Sequence, residues 1–159
     1  MIPVVSPDEL ISQMDALLDS CPLALPALSN AASLIFHALA DLNWCGFYLL
    51  HQSRLVLGPF QGRPACILIE RGRGVCGHAL AEDRTLRVPD VHAFPGHIAC
   101  DAASRSELVI PLRGKDGQIR GVLDLDSPRP DRFSQDDQQL LESFCALLAR
   151  RVSWDEPIL

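Results

Sequence analysis

Three of the six cysteines lie in segments that do not have the pattern of a protein core. Cys66 and Cys76 belong to RPACILIERGRGVCGHAL, and Cys100 ends the segment VHAFPGHIAC, just before Asp101. The second segment alternates polar residues with glycine and proline, which is too irregular for a helix or a strand. It predicts an ordered loop that presents Cys100, and thiols presented in this way serve redox chemistry or metal binding.

The sequence around each of these thiols favours a different chemical state. Cys66 lies in the strand-like ACILIE and on its own resembles a core thiol. Cys76 lies in the first turn of a predicted helix, where the helix dipole and unpaired amides lower a thiol pKa and favour the thiolate. Cys100 has His97 on one side, whose cation would stabilise a thiolate, and Asp101 on the other, which acts in the opposite sense.

The remaining cysteines are predicted to be structural or are uninformative. Cys45 falls on the core face of a predicted strand, and Cys145 falls in the apolar stripe of a predicted helix. At such positions a free cysteine packs as a small hydrophobic residue. Cys21 follows the first helix in a loop and indicates nothing.

Metal binding is the alternative use of these thiols and of the histidines near them. The candidate ligands are Cys66, Cys76, His78, His92, His97 and Cys100. No CxxC or HxxxH pair occurs among them, although structural zinc sites usually take ligands from such short spacings. We therefore expect no metal at this site.

Length and charge exclude several classes of protein. A chain of 159 residues fits one domain, 1–159, and is long enough to bury a core without a disulfide. The net charge is −6, with 14 basic residues spread among 20 acidic ones, which disfavours nucleic acid and anionic membranes as partners. The N-terminal sequence lacks the pattern of a secretory signal, and no stretch approaches the roughly 20 apolar residues of a membrane span. We expect a cytoplasmic protein, in which structural disulfides are rare.

The hydrophobic periodicity predicts the elements that position the thiols. Ser6 and Pro7 open the first helix, and Ser134 with Asp137 resembles a capping box at the last one. The predicted helices are 7–19, 27–41, 74–84 and 134–152. The predicted strands are 43–50, 53–60 and 65–70. They are followed by an extended segment at 85–90, a loop at 89–104, and a hairpin with a KDG turn at 107–127. This order predicts an α+β fold. A mainly antiparallel sheet in 43–127 would be flanked by the N-terminal helices of 7–41 and by the C-terminal helix. The loop that holds Cys100 would lie over one face of the sheet.

Strand alternation then groups side chains by face. In NWCGFYLL the apolar set Cys45, Phe47 and Leu49 is plainly core, so Trp44 and Tyr48 point the other way. The same rule separates the two aspartates of GVLDLDS from its leucines and places the glutamate of SELVIPL opposite the buried residues of that strand. If these faces coincide, one side of the sheet carries Trp44, Tyr48, Glu107, Asp124 and Asp126.

An aromatic and acidic face of this kind has two chemical uses. Three carboxylates close together repel, so the face favours either a cationic ligand group or the retention of a proton on one acid. An ammonium could be held by two ionised carboxylates and the aromatic rings, while a protonated carboxyl could act as a general acid. The alternative is a solvated sheet face without a binding role.

Several motifs of the chain resemble those of the free methionine-(R)-sulfoxide reductases, which are built on a GAF domain. The motifs are NWCGFYL, LVLGPFQGRPACI, GRGVCGHA, VPDVHAFPGHIACDAASRSELVIPL and GVLDLDSP, followed by RFSQDD. The resemblance as a whole runs from about residue 30 to about residue 150. The VHAFPGHIACDAASRSE segment is the most specific of them, because most GAF domains are ligand sensors that lack its cysteine. Cys45 and His78 depart from the expected small residues, and neither change removes a functional group.

The resemblance implies an activity and assigns roles. It implies the reduction of free, not protein-bound, L-methionine (R)-S-oxide, with electrons from thioredoxin and ultimately NADPH and with no bound cofactor. The implied cysteine triad is Cys100 as nucleophile, Cys66 as resolving thiol, and Cys76 as an alternative resolver or relay. The implied substrate pocket consists of Trp44, Tyr48, Glu107, Asp124 and Asp126. Either Glu107 or Asp126 would be the proton donor.

Two other classes of function stay open at the level of sequence. One is a noncatalytic GAF module that binds a small ligand, and the other is a thiol redox sensor without a dedicated substrate. Against the first, the C-terminal helix stops near residue 152 and does not continue as a long signalling helix. A homodimer through the terminal helices is compatible with a GAF fold.

Overall fold

A computed structural model describes residues 5–97, 101–156 and 158 of the chain. The elements in chain order are α1 (Pro7–Ser20), α2 (Ala24–Ala38), β1 (Trp44–His51), β2 (Arg54–Gly62), β3 (Leu68–Glu70), α3 (Gly74–Glu82), β4 (Leu86–Val88), a 3-10 helix (Val91–Ala93), β5 (Ser106–Arg113), β6 (Ile119–Ser127) and α4 (Gln135–Arg151). The described chain is therefore an α+β fold, as the sequence predicts.

A single six-stranded sheet forms the centre of the molecule. Its strand order is β3-β2-β1-β6-β5-β4, and every neighbouring pair is antiparallel. Helices α2 and α4 pack on one face of the sheet, with α1 packed against both of them, whereas α3 packs on the other face. The sheet therefore separates a large helical core from a smaller layer that contains the aromatic and acidic residues.

The two long terminal helices begin at capping boxes. Ser6 accepts a hydrogen bond from the Glu9 amide while the Glu9 side chain accepts one from the Ser6 amide, and Ser134 and Asp137 repeat this arrangement. Such reciprocal bonds satisfy two of the amides that a helix N-terminus leaves unpaired. The predicted starts of both helices are confirmed.

The second helix and the third strand differ from the predictions. Helix α2 begins at Ala24 rather than at 27, because Pro26 is tolerated in a first helical turn, and it ends at Ala38 before Asp41 adopts a left-handed backbone with φ 61°. Strand β3 begins at Leu68, not at 65. The Cys66 carbonyl, which precedes this strand, accepts a hydrogen bond from the Tyr48 hydroxyl.

No helix among the described residues is long and apolar enough to cross a membrane.

Candidate active site

The register of the three central strands assembles the acidic face that alternation predicts. Asp126 on β6 lies directly opposite Trp44 on β1 and Glu107 on β5. Residues that are directly opposite on neighbouring strands point to the same face of the sheet. Asp124 lies one step along β6, opposite Gly46. A Cβ at Gly46 would overlap the side chain of Phe60, so the glycine lets the aromatic rings close over this row. The predicted common face is confirmed.

A pocket opens above this row, beneath α3 and the loop after β4. It is lined by Trp44, Tyr48, Pro64, Ala65, Ile69, Arg73, Gly74, Val75, Cys76, His97, Asp101, Ser104, Glu107, Asp124 and Asp126. All five predicted pocket residues are among them, together with Cys76. Because α3 and the loop cover this face, the alternative of a solvated sheet face is wrong.

Trp44 and Tyr48 form the aromatic wall and also hold the segment above it. The ring of Trp44 stacks on Tyr48 at 5.7 Å and on Phe60 at 5.3 Å, measured between ring centroids. The Trp44 indole donates to the Arg63 carbonyl at 3.1 Å, and the Tyr48 hydroxyl donates to the Cys66 carbonyl at 3.0 Å. The polar edge of each aromatic thus fixes the backbone that leads into Cys66.

The predicted cysteines have different surroundings. Cys66 is half-buried and disulfide-bonded. Cys76 is a free thiol, 4% exposed, in the first turn of α3. The remaining described cysteines, Cys21, Cys45 and Cys145, are free thiols, and the last two are buried in the helical core as predicted. Cys100 lies outside the described residues.

Cys76 is not poised as a thiolate, so that sequence interpretation is wrong. Burial raises the pKa of the Cys76 thiol well above 9.0, and the nearby Asp124, Glu107 and Asp126 raise it further. A helix N-terminus is worth about 0.3–1 kcal/mol, less than one pKa unit, whereas full burial shifts a pKa by up to 3–5 units. The thiol instead donates to Glu107 Oε1 across 3.8 Å.

The three carboxyl groups hold protons more strongly than isolated acids. Burial raises the pKa of Glu107 well above 4.5, with further contributions from Asp124 and Asp126. Burial also raises the pKa of Asp126, and it raises the pKa of Asp124 to about 6. Glu107 and Asp124 are 7% and 5% exposed, whereas Asp126 keeps more of its surface in contact with solvent. Proton retention on this face agrees with the sequence prediction.

One carboxyl oxygen in this cluster stands out among the residues that the structure describes. Asp124 Oδ1 is buried and makes no hydrogen bond among the described residues. A buried, unpaired carboxylate oxygen costs free energy unless a ligand satisfies it. The site therefore offers an acceptor to a donor that the described residues do not supply.

The loop after β4 is anchored by a residue that sequence patterns miss. Asn43 donates to Asp101 Oδ2 at 3.0 Å and to Ser104 Oγ at 3.1 Å. Asp101 also accepts from the Ala103 amide, and these bonds lower its pKa. Burial and His92 lower the pKa of His97, so a histidine cation beside the loop is disfavoured, contrary to the sequence interpretation. The one sequence signal for this anchor is the position of Asn43, a polar residue immediately before a buried strand.

The described residues contain one group of potential metal ligands. The ligand atoms of Cys76, Glu107 and Asp124 lie within 4.8 Å of one another. This group shares only Cys76 with the set that the sequence suggests for zinc, and its members hold one another through protons and hydrogen bonds. The expectation of no metal stays a prediction.

Comparisons with known proteins define the class of the chain and then its family. A GAF domain model matches residues 25–152, which places the fold among GAF domains. The chain is 53% identical over 126 residues to the free methionine-R-sulfoxide reductase of Escherichia coli, covering 79% of this chain and 76% of that protein. The chain belongs to the free methionine-(R)-sulfoxide reductase family.

Solved structures of that family have the same fold. The reduced form of fRMsr from Staphylococcus aureus superposes with a TM-score of 0.90 at 44% identity, covering 96% of this chain and 99% of that one. The free methionine-R-sulfoxide reductase of Neisseria meningitidis, solved with its substrate, gives a TM-score of 0.86 at 40% identity over 91% of this chain and 87% of that one.

Proposed function

We propose that this chain reduces free L-methionine (R)-S-oxide to L-methionine through its cysteines. The observation that carries the proposal is a buried oxygen of Asp124 that has no hydrogen-bond partner among the described residues, in a pocket with aromatic walls and beside two further carboxyls whose pKa burial raises. The names of the E. coli and N. meningitidis proteins support the same substrate.

Asp124 binds the substrate ammonium in this proposal. The pKa of Asp124 is about 6, so Asp124 is ionised at neutral pH. Trp44 and Tyr48 enclose the methyl group and the sulfur. A methionine sulfoxide within a peptide has no ammonium, so it would leave a buried carboxylate unpaired, and this explains selectivity for the free amino acid.

Glu107 is the proton donor to the sulfoxide oxygen in this proposal. Sequence leaves the choice between Glu107 and Asp126 open, and Glu107 has the smaller exposed surface of the two. Burial raises the pKa of Glu107 well above 4.5, and an acid whose pKa is raised keeps the proton that it donates. Asp126 then supports the ammonium together with Asp124.

The reaction has three steps. The Cys100 thiolate attacks the sulfoxide sulfur, Glu107 donates a proton to the oxygen, and the resulting hydroxyl passes from the substrate sulfur to the sulfur of Cys100. Methionine then leaves, and a sulfenic acid remains on Cys100. The Cys66 thiol attacks that sulfenic acid, which forms a disulfide and releases water. Thioredoxin then reduces the disulfide by thiol exchange, with NADPH as the ultimate electron donor and no bound cofactor.

Cys66 is the resolving thiol in this scheme. It is disulfide-bonded and half-buried, whereas Cys76 is a free thiol at the floor of the pocket with a raised pKa. These properties support Cys66 as resolver and disfavour Cys76 as the thiol that passes the disulfide outward. We further propose a cytoplasmic location and a homodimer.

Turnover with dithiothreitol as the reductant tests this function. We expect methionine to form from free methionine R-sulfoxide, and not from the S-epimer or from N-acetylmethionine R-sulfoxide, which lacks the ammonium. A noncatalytic GAF module would give no turnover with any of the three compounds. A redox sensor would consume reductant with peroxide and leave methionine sulfoxide untouched.

A further inference from the structure

We propose that the exposed edge of the sheet at β3 is the docking surface for an acidic protein dithiol that reduces the Cys66 disulfide. This inference rests on the proposed function, because it concerns the protein that regenerates the same site. The surface consists of residues 63–73, with β3 at its centre.

This edge carries two adjacent exposed large apolar residues, one of which, Ile67, is the most exposed of the described chain. Ile67 is 72% exposed and Leu68 is 53% exposed. The next residue, Ile69, is buried and packs into the layer that contains the pocket. Cys66 immediately precedes them. Exposed apolar side chains that adjoin one another mark interaction sites more often than isolated ones do. A partner that covers them meets the disulfide at the same time.

The backbone of this edge is also available to a partner. Strand β3 ends the sheet and pairs only with β2 among the described strands. An edge strand presents unpaired amide and carbonyl groups, which another chain can bind. The segment before it is held in place by Trp44 and Tyr48 through the Arg63 and Cys66 carbonyls, so the surface is preorganised.

The charge of this surface is opposite to that of the whole chain. Residues 63–73 carry three arginines and one glutamate, a balance of +2, in a chain whose net charge is −6. Arg54 pairs with Glu70 at 3.5 Å. The arginines at 63, 71 and 73 are exposed around the apolar pair. This local excess favours a partner with acidic groups around its dithiol and raises the rate of encounter.

The exchange itself balances without a further reactant. A thiolate of the partner attacks Cys66 Sγ and forms an intermolecular disulfide, and the sulfur formerly bonded to Cys66 leaves as a thiolate that takes up a proton. The second thiol of the partner then attacks its own bridged sulfur and releases Cys66. Two electrons and two protons pass from the dithiol, and the partner is left as a disulfide.

The test compares a protein reductant with a small one. The probe is thioredoxin with its reductase and NADPH, and the parallel assay uses dithiothreitol with the same substrate. We expect Ile67→Asp to raise the KM for thioredoxin at least tenfold, because it removes apolar contact and adds repulsion, with unchanged dithiothreitol turnover. Ile67→Val should behave as wild type, as should Leu25→Asp, which changes a leucine on α2 that is 55% exposed.

A second variant isolates the charge. Arg63→Glu should raise the KM for thioredoxin severalfold and weaken its dependence on salt, because exposed charges are screened by added ions. The Trp44 indole bonds to the backbone carbonyl of Arg63, so a change of the Arg63 side chain leaves that bond in place.

The outcomes separate the two proposals. Absence of wild-type turnover with dithiothreitol would refute the proposed function itself. Normal dithiothreitol turnover with an unchanged KM for thioredoxin in Ile67→Asp would refute the docking surface alone. Loss of both activities in Ile67→Asp, or a change from dimer to monomer in sedimentation, would also overturn it, because the edge would then belong to the active site or to a contact between copies.

Discussion

The side chain of Tyr48 has two roles, one for its ring and one for its hydroxyl, and a single substitution can separate them. Its ring forms the pocket wall against Trp44, while its hydroxyl donates to the carbonyl of Cys66. Burial and the surrounding acids raise its pKa, so the hydroxyl stays a donor throughout the working range of pH. In the proposed mechanism the ring encloses the substrate during methionine release, and the hydroxyl holds the backbone of Cys66 during disulfide formation.

Tyr48→Phe should therefore slow disulfide formation more than methionine release. The variant keeps the stacked ring and loses one hydrogen bond, which is worth about 1 kcal/mol, or about a fivefold change in rate. Rapid-quench measurement of methionine and of remaining free thiols after one turnover checks this. Equal slowing of both steps would contradict the separation of roles.

Helix α3 is the element that brings Cys76 to the acidic row, and Gly77 allows it to approach. A Cβ at Gly77 would overlap the Glu70 carbonyl oxygen, and the Gly72 amide donates to the Gly77 carbonyl at 2.8 Å. The helix thus rests directly on the turn after β3. The same close contact fixes the floor of the pocket and the end of the edge strand.

Gly77→Ala should destabilise the protein, although alanine is the better helix former by about 0.5–1 kcal/mol. The backbone must move to admit the methyl group, which costs about 1–3 kcal/mol in a packed region. Urea unfolding under reducing conditions measures the change, and Glu82→Ala at the exposed end of α3 serves as the control for helix propensity. A gain in stability for Gly77→Ala would show that α3 does not rest on this turn.

The acidic pocket lowers the stability of the whole molecule at neutral pH. The pKa of Asp124 is about 6 in the folded protein and 3.8 without burial. Because the folded value is the higher one, the stabilising contribution of this carboxyl is fully present below about pH 4 and is lost as the pH rises through about 6. The shift corresponds to a loss of ~3 kcal/mol.

Asp124→Asn should remove this pH dependence. Between pH 4 and pH 8 the free energy of unfolding of the wild type should fall by ~3 kcal/mol relative to that of the variant. Urea titrations of both reduced proteins across this range measure the difference. Asp8→Asn, on the exposed surface of α1, controls for the loss of one charge. A gap between wild type and Asp124→Asn that stays constant with pH would contradict the account.

Much of this architecture could be predicted from the sequence, because its signals are local. Period-two alternation identifies the residues of each strand face, and the antiparallel register then brings Trp44, Asp126 and Glu107 into one row. The capping boxes are equally local. These features depend on residues a few positions apart or on direct strand partners.

The remaining features depend on contacts that spacing does not encode. The protonated state of Cys76 depends on the sum of its burial and three neighbouring acids, which outweighs the helix dipole. The anchor from Asn43 to Asp101 joins residues 58 positions apart. Strand β3 begins only at Leu68, after the Cys66 carbonyl has accepted a hydrogen bond from the distant Tyr48 hydroxyl.

Single-turnover release of methionine tests the central claim most directly. Fully reduced protein, mixed with excess free methionine R-sulfoxide and no other reductant, should release one methionine per chain and lose two free thiols. Cys100→Ser should release none, while Cys76→Ser should retain the burst. A full burst of methionine from Cys100→Ser would contradict the assignment of the nucleophile and move it to Cys76.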